Sequence, residues 1–361
     1  MYGEFGPSGA EFEEWRGAMA LEFTICEVRW ERYRRVSENP HGREWLKFQA
    51  TRGLAANTLD AYGRDLDSYL GFLESQSIPL HSVVRPTIGA YVRSIAELAI
   101  PRVRKRGAET RTTLANATLQ QHLTVVRLFH DFLVEEKICT RNPLRPAIGG
   151  RNLIQRHHRL PWIPSEEEWQ NILEVCKQEP LRNRVMLAMS YDAALRREEI
   201  CSLETTDIDP ARRLLHIRLE VTKNRRERVV PYSPATSELF SRYLRIRREL
   251  SRERGPLFLS ESCRNHGQPI SIWTWSKAIA RVAQRCNLPR FTPHSLRHLC
   301  LTDLARANWD IHEIATFAGH RSIQTTTLYI HLSGRDLANK LARGMAEIHA
   351  RRVAMMSEVL A

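Results

Sequence analysis

A tyrosine that follows a series of basic residues is the part of this sequence best suited to chemistry. A phenol with an ordinary pKa of about 10 attacks a phosphodiester only if the added negative charge is stabilised. Fixed cationic donors directed at the phosphoryl oxygens supply that stabilisation. The C-terminal half of the chain places Tyr329 after five such residues, namely Arg196, Lys223, His294, Arg297 and His320. We therefore expect these side chains to form a phosphate cage around a nucleophile.

Each of these motifs also has an ordinary structural interpretation when it is taken singly. Arg196 and Glu199 are three residues apart, which is the spacing of a salt bridge on a helix surface. His294 and His298 have the spacing of two zinc ligands, but residue 295 is Ser295 rather than the glutamate of a HExxH metalloprotease. We therefore expect neither a metal nor another cofactor, and we interpret His298 as a packing or supporting residue.

The charge of the chain indicates a nucleic-acid partner. Lys and Arg total 54 against 41 Asp and Glu, which gives a formal charge of +13 and a pI of about 9.8. Anionic membranes also attract basic proteins, but the sequence has no apolar run of transmembrane length and no signal-peptide pattern. We expect a cytoplasmic protein. Its seven scattered cysteines form no CxxC pair, which favours reduced thiols.

The distribution of proline and glycine predicts the domain organisation. These residues concentrate between positions 141 and 165, where they interrupt helical periodicity. We expect an N-terminal extension without an assigned role (1–42), a helical domain (43–146), a basic linker (147–164) and a second domain (165–361). A short basic segment of the helical domain either contacts DNA phosphates or is a solvated loop. Its candidate residues are Arg102, Arg104, Lys105 and Arg106.

Downstream of the linker the pattern changes from purely helical to mixed. Most of the segment repeats apolar residues at helical spacing, but Leu215, Ile217 and Leu219 alternate, and RVVP follows as a returning strand. We expect a small antiparallel hairpin with Lys223 near its tip. Two arginines beside the tip are further candidates for DNA contacts, Arg225 and Arg226. The predicted fold class is mainly α with a small antiparallel β-sheet.

Four separate segments, in this order, resemble the motifs of the tyrosine recombinase (phage integrase) family: ALRREE, TKNRRERVVP, TPHSLRH and FAGHRSIQTTTLYIH. The helical segment upstream also resembles the family's SAM-like core-binding domain, so the resemblance covers nearly all of residues 43–331. The organisation is similar to that of Xer-type and transposon-encoded members. The resemblance implies a helical core-binding domain and a mixed α/β catalytic domain that form a clamp around DNA.

Three positions depart from the family pattern. Ala194 and Asn308 stand where the family commonly has glycine, and the hairpin lacks the usual glycine after Lys223. None of these departures removes a catalytic group. The change in the hairpin leaves Arg225 and Arg226 as alternatives to Lys223.

The resemblance implies a mechanism and a role for each residue. Tyr329 would attack the scissile phosphate, forming a 3′-phosphotyrosyl enzyme and releasing a 5′-hydroxyl. Arg196 and Arg297 would clamp the non-bridging oxygens. Lys223 would protonate the leaving oxygen, and His294 would act as a general acid and base.

The resemblance also implies supporting groups and an assembly. His320 would hydrogen-bond the phosphate and Glu199 would support the site. Four protomers would bring two double-stranded DNA sites together. The apolar stripe of the last segment would pack against a neighbouring protomer or fold back on its own domain; it comprises Leu337, Leu341, Met345 and Ile348.

Three classes of function are compatible with these features. The first is a site-specific DNA recombinase of the integrase, transposase or resolvase type. The second is a type IB topoisomerase-like enzyme, which nicks and reseals DNA without strand exchange. The third is a non-catalytic DNA-binding regulator, which the complete set of catalytic residue types disfavours.

Overall fold

The computed structural model describes residues 26–97, 114–145, 160–222, 225–332, 343–353 and 355. The chain divides into two compact units at the boundary between His158 and Arg159. Within the described ranges, no helix is both long and apolar enough to span a bilayer. The basic segment 102–106 and Lys223 lie outside these ranges, as does most of the expected linker.

The N-terminal unit is a bundle of helices whose apolar residues recur at three- and four-residue spacing and face a common core. Its helices are α1 (Arg34–Glu38), α2 (Pro40–Thr51), α3 (Ala56–Ser75), α4 (Arg85–Glu97) and α5 (Asn116–Glu135). Trp45 lies fully buried at the centre, with its ring 5.8 Å from that of Tyr62 and 5.7 Å from that of Phe129. Tyr33 and Val36, which belong to the segment 1–42, are buried in the same core.

Between residues 160 and 332, the described part of the C-terminal unit combines eight α-helices with one small sheet. The helices are α6 (Glu166–Cys176), α7 (Leu181–Asp192), α8 (Arg197–Cys201), α9 (Pro234–Leu250), α10 (Ile272–Arg285), α11 (Pro293–Arg306), α12 (Ile311–Ala318) and α13 (Ile323–Leu332). Several helices start at polar side chains that cap the first turn. Ser165 and Glu168 form a capping box for α6, and Asp310 and Glu313 form one for α12.

The sheet contains the expected hairpin and one further strand. Its strands are β1 (Ile208–Asp209), β2 (Leu214–Ile217) and β3 (Arg228–Pro231), all antiparallel and in the order β1-β2-β3. Leu215 and Ile217 alternate inward as expected, but Leu219 lies beyond the strand in a single turn of 3-10 helix. The side chain of Arg218, which follows β2, pairs with Glu204 and Asp207.

The last described segment, residues 343–353, is helical and almost entirely exposed. Leu337 and Leu341 of the expected stripe lie outside the described residues, whereas Met345 and Ile348 are exposed. All seven cysteines fall within the described ranges, and none of them forms a disulfide.

Candidate active site

Arg196 is held at the start of a short helix by a buried carboxylate. It is the N-cap residue of α8. Its backbone N–H donates to Glu199 Oε2 at 2.9 Å, and its Nη1 donates to Glu199 Oε1 at 2.7 Å. The side chain of Glu199 is completely buried, whereas 16% of the Arg196 side chain is exposed. The guanidinium is therefore fixed in place while part of it remains accessible.

A second arginine, Arg228 of β3, binds the same carboxylate from the other side. Its Nη2 donates to Glu199 Oε2 at 2.7 Å and its Nη1 to Oε1 at 3.1 Å, while its Nε donates to the carbonyl of Phe317 at 3.0 Å. Burial raises the pKa of Glu199, but Arg228 and Arg196 outweigh burial and lower this pKa to about 2. Glu199 is therefore ionised at neutral pH and links β3 to the start of α8.

One turn brings the two clamp arginines together. Gly319 ends α12 with φ +63°, and a Cβ added there would lie 3.2 Å from Arg228 Nη1. Arg297 Nη2 donates to the carbonyl of Ala318 at 2.6 Å, and Arg196 Nη2 donates to the carbonyl of Gly319 at 3.3 Å. Arg297 Nη1 also donates to the carbonyl of Ala194. The turn needs glycine both for its backbone and for the close approach of Arg228.

Tyr329 lies on α13, with only 3% of its surface exposed. Its ring belongs to a small apolar cluster with Ala194, Leu301 and Ile314. Its hydroxyl is 3.1 Å from His298 Nδ1. The elements that carry the arginines thus also enclose the phenol.

His320 lies against the face of the phenol ring. Its ring is parallel to that of Tyr329 within 5°, with the centroids 5.9 Å apart, and its Nδ1 is 2.9 Å from Thr326 Oγ1. Burial, together with the charges of Arg297 and Arg196, lowers the pKa of His320 to about 3. The imidazole is therefore neutral at physiological pH.

The nucleophile and the buried arginine influence each other's ionisation. Burial raises the pKa of Tyr329 above 10, while the charges of Arg297 and Arg196 oppose that rise. Burial and the charge of Arg196 lower the pKa of Arg297 to about 10, so this guanidinium remains charged at neutral pH. The phenol of Tyr329 is therefore protonated at neutral pH in the free protein.

His294 lies at the start of α11 and is open to solvent on one side. Burial of the His294 ring lowers its pKa. The charge of Glu198 opposes this shift, and the charges of the nearby arginines reinforce it. Its ring centroid lies 6.5 Å from that of His298. Among the residues that the structure describes, no group of three or more His, Cys, Asp or Glu side chains is arranged to hold a metal ion.

Of the remaining predicted residues, the structure describes Arg225 and Arg226. Arg225 and Arg226 are exposed at the base of the hairpin tip, where the Arg226 N–H donates to Thr222 Oγ1 at 2.9 Å. The tip itself, with Lys223, and the four basic residues between 102 and 106 lie outside the described ranges.

Sequence reasoning missed one residue of this site. Arg228 was not singled out, because it follows several other cations in TKNRRER and only tertiary structure pairs it with Glu199. The sequence carried no signal for it, since the two valines that follow do not show which face of β3 is buried. His298, interpreted as a packing or supporting residue, contacts the phenol oxygen.

Two of the three departures from the family's glycine pattern coincide with left-handed backbone. Ala194 has φ +47° and Asn308 has φ +63°, whereas the position after Lys223 lies outside the described residues. Glycine adopts this region without steric cost, whereas other residues are strained there, asparagine least. The chain therefore keeps the backbone shape at these places although the residue has changed.

Two family models match the chain and together span both units. The model of the phage integrase family matches residues 164–335, and the model of the phage integrase N-terminal SAM-like domain matches residues 44–137. Together with the fold and the site, these matches define the class of the protein. The chain belongs to the phage integrase family, the tyrosine recombinases, and is an enzyme that cleaves and rejoins DNA strands.

Two tyrosine recombinases are similar to this protein over most of its length. Tyrosine recombinase XerD of Halalkalibacterium halodurans is 28% identical, and the match covers 82% of this chain and 94% of that protein. Tyrosine recombinase XerC of Listeria innocua is 26% identical over 79% of this chain and 90% of that protein.

Solved structures share the fold. XerH bound to palindromic difH in a post-cleavage complex has a TM-score of 0.64 at 16% identity and covers 92% of this chain and 93% of that one. The Tn1549 transposon integrase in complex with circular intermediate DNA has a TM-score of 0.62 at 18% identity and covers 79% and 93%.

Proposed function

We propose that this chain is a site-specific DNA recombinase in which Tyr329 attacks a DNA phosphodiester and forms a 3′-phosphotyrosyl intermediate. One observation carries the proposal. Three guanidinium groups, of Arg196, Arg228 and Arg297, lie around the single buried carboxylate of Glu199, so two positive charges in this group remain uncompensated beside a buried phenol. A phosphodiester brings one negative charge and gains a second in the transition state, which matches that excess.

The two clamp arginines keep donors free for this purpose. A guanidinium carries five N–H groups in a planar fork. The carbonyl and carboxylate contacts occupy two of them on the Arg196 side chain, and carbonyl contacts occupy two on Arg297. Both can therefore bind non-bridging oxygens without losing the contacts that orient them. His320, neutral and stacked on the phenol, adds a hydrogen bond to the phosphate.

Lys223 and His294 serve the leaving group in this proposal. Lys223 protonates the departing 5′-oxygen from the tip of the hairpin, and His294 acts as a general acid and base at the start of α11. The covalent intermediate retains the energy of the broken phosphodiester. The 5′-hydroxyl of a partner strand can therefore reseal it without ATP.

The substrate is a double-stranded recombination site, and four protomers on two such sites are the working assembly. The N-terminal bundle also binds the DNA, with the basic segment 102–106 on its phosphates. The XerH and Tn1549 integrase structures are complexes with DNA, in keeping with this proposal. We place the activity in the cytoplasm.

The test of this function begins with finding the DNA site. A library of nicked duplexes with a random central sequence is incubated with the protein, and DNA that remains attached after denaturation is isolated and sequenced. Tyr329→Phe should bind the selected site normally yet form no adduct, because the ring and the cage remain while the nucleophilic oxygen is lost. If this variant still forms the adduct, Tyr329 is not the nucleophile.

The same site distinguishes the alternative functions. Two copies on one plasmid should yield deletion or inversion products. Relaxation of a supercoiled plasmid without recombinants would instead indicate a topoisomerase-like enzyme, and binding without any adduct would indicate a regulator.

A further inference from the structure

The hydroxyl of Tyr329 has a specific partner that none of the roles above uses. His298 lies on α11, one turn after His294, and its Nδ1 is 3.1 Å from the phenol oxygen. The two rings are tilted by 36°, with their centroids 5.8 Å apart. The ring edge of His298, rather than its face, therefore meets the oxygen that would attack phosphorus.

The direction of this hydrogen bond depends on the protonation of the ring. Burial, together with His294 and Arg297, lowers the pKa of His298 to about 4, so its ring is neutral and has one nitrogen that accepts. Arg297, whose charge acts on the phenol, has no acceptor for the phenol hydrogen. We assign the ring proton to Nε2, so that Nδ1 of His298 accepts the phenol hydrogen.

The other two histidines are less suited to the phenol proton. The ring of His320 is parallel to the phenol, and its Nδ1 is already 2.9 Å from Thr326 Oγ1. A ring nitrogen accepts in the plane of its ring, so a stacked imidazole does not direct a lone pair at the phenol oxygen. Across the described parts of the chain, no hydrogen bond joins Tyr329 to His294 or His320.

We propose that His298 is a catalytic residue, the acceptor of the Tyr329 proton during strand cleavage. The inference rests on the proposed role of Tyr329 as the nucleophile. As the bond from Tyr329 Oη to phosphorus forms, the O–H proton moves to His298 Nδ1. The bond from phosphorus to the 5′-oxygen breaks, and that oxygen takes a proton from Lys223. In the rejoining step the imidazolium returns its proton to the tyrosine oxygen.

The timing of the proton transfer follows from the two groups. The phenol pKa is raised by burial and that of the imidazole is lowered to about 4, so complete proton transfer before attack is strongly disfavoured. The difference between the two pKa values disappears during the reaction. The phenol oxygen loses its basicity as it bonds to phosphorus, and the bound phosphate adds negative charge near the imidazole. The proton therefore moves together with bond formation. A neutral His298 in the free protein ensures that the acceptor is unoccupied when DNA arrives.

Two variants separate proton acceptance from positioning. In His298→Asn the side-chain oxygen occupies the place of Nδ1 and can hold the phenol, but it cannot take up the proton. His298→Leu removes both functions. Under single-turnover conditions on the selected nicked duplex, we expect adduct formation to slow about a hundred-fold or more in His298→Asn and further in His298→Leu. DNA affinity should remain within a few-fold of that of the wild type.

A substrate with sulfur in place of the 5′-oxygen at the scissile bond separates the two ends of the reaction. Sulfur leaves without a proton, so this substrate should restore the rate of Lys223→Ala but not that of the His298 variants. A rate for His298→Asn within about three-fold of wild type on the ordinary substrate would overturn the proposal, leaving His298 a positioning role. Restoration of the His298 variants by sulfur would also overturn it.

A measurement on the unmodified protein covers the case in which both variants fail to fold. With the sulfur substrate, the tyrosine proton is the one in motion, so the wild type should cleave more slowly in heavy water. Equal rates in the two solvents would refute a transfer concerted with attack. If the wild type forms no adduct with any duplex, the proposed function fails. If it forms an adduct that Tyr329→Phe abolishes while the His298 tests come out negative, only this inference fails.

Discussion

Replacing the buried carboxylate by its neutral isostere should destabilise the C-terminal unit in a way that depends on pH. Glu199 accepts four hydrogen bonds, two from Arg228 and two from Arg196, and none of its side chain is exposed. In Glu199→Gln the shape is retained, but the charge is lost and an amide N–H₂ faces arginine donors. The variant therefore removes the one negative charge that Arg196 and Arg228 share.

The size of the effect follows from the ionisation of Glu199. Its pKa falls from an ordinary 4.5 to about 2 in the folded protein, which corresponds to about 3 kcal/mol of stability at about 1.4 kcal/mol per pKa unit. Because the folded pKa is depressed, this contribution is complete well above pH 4.5 and is lost as the pH falls towards 2. At pH 4 it should be smaller than at neutral pH by about 1 kcal/mol.

Urea unfolding of the full chain at pH 7 and pH 4, followed by circular dichroism, measures the difference between wild type and Glu199→Gln. That difference should shrink by about 1 kcal/mol at the lower pH. Glu198→Gln is the matched control, because its carboxylate is 47% exposed, pairs with Arg197 and should contribute under about 1 kcal/mol. A Glu199→Gln difference that is equal at both pH values would refute the electrostatic reasoning.

Three further predictions concern the cage, the backbone and the tail. Arg297→Lys and Arg196→Lys should each slow adduct formation about a hundred-fold or more in single-turnover assays, since a point charge cannot replace a planar fork; near-normal rates would contradict the clamp. Ala194→Gly should cost less unfolding free energy than Ala193→Gly by about 1–2 kcal/mol, because both methyls are buried but only Ala194 has left-handed backbone; equal costs in urea unfolding would exclude strain. Removal of residues 335–361 should spare binding of one DNA site but weaken synapsis in gel-shift assays; a truncated chain that unfolds, or recombines normally, would show an intramolecular or dispensable tail.

The helices and the hairpin could be predicted because they depend on local spacing. The apolar repeat in α3 and the alternation of Leu215 and Ile217 are each visible within a few residues. The shared carboxylate could not be predicted in this way. Glu199 and Arg228 are 29 residues apart, and the fold alone brings them to 2.7 Å. Charge patterns give no information about which of several neighbouring cations turns inward.

The contact between Tyr329 and His298 could not be predicted either, because the sequence does not show which elements pack together. The spacing of His294 and His298 places both on one face of α11, which is correct, but spacing does not reveal what the helix faces. The partner is supplied by α13, 31 residues later in the chain. Left-handed backbone at Ala194 is hidden for a related reason, since alanine carries no local signal for it. A comparison with the family's glycine at that position indicates it.

The burial of Tyr329 has a consequence for the integrity of the DNA on which the enzyme acts. With 3% of the residue exposed, its oxygen lies in a place that bulk water hardly reaches. A phosphotyrosyl bond formed at that oxygen would be protected from hydrolysis, so the intermediate would persist until a DNA hydroxyl attacks it. Hydrolysis would instead leave a broken strand with no stored bond to repair it. Exclusion of water from Tyr329 thus protects the DNA from lasting breaks during strand exchange.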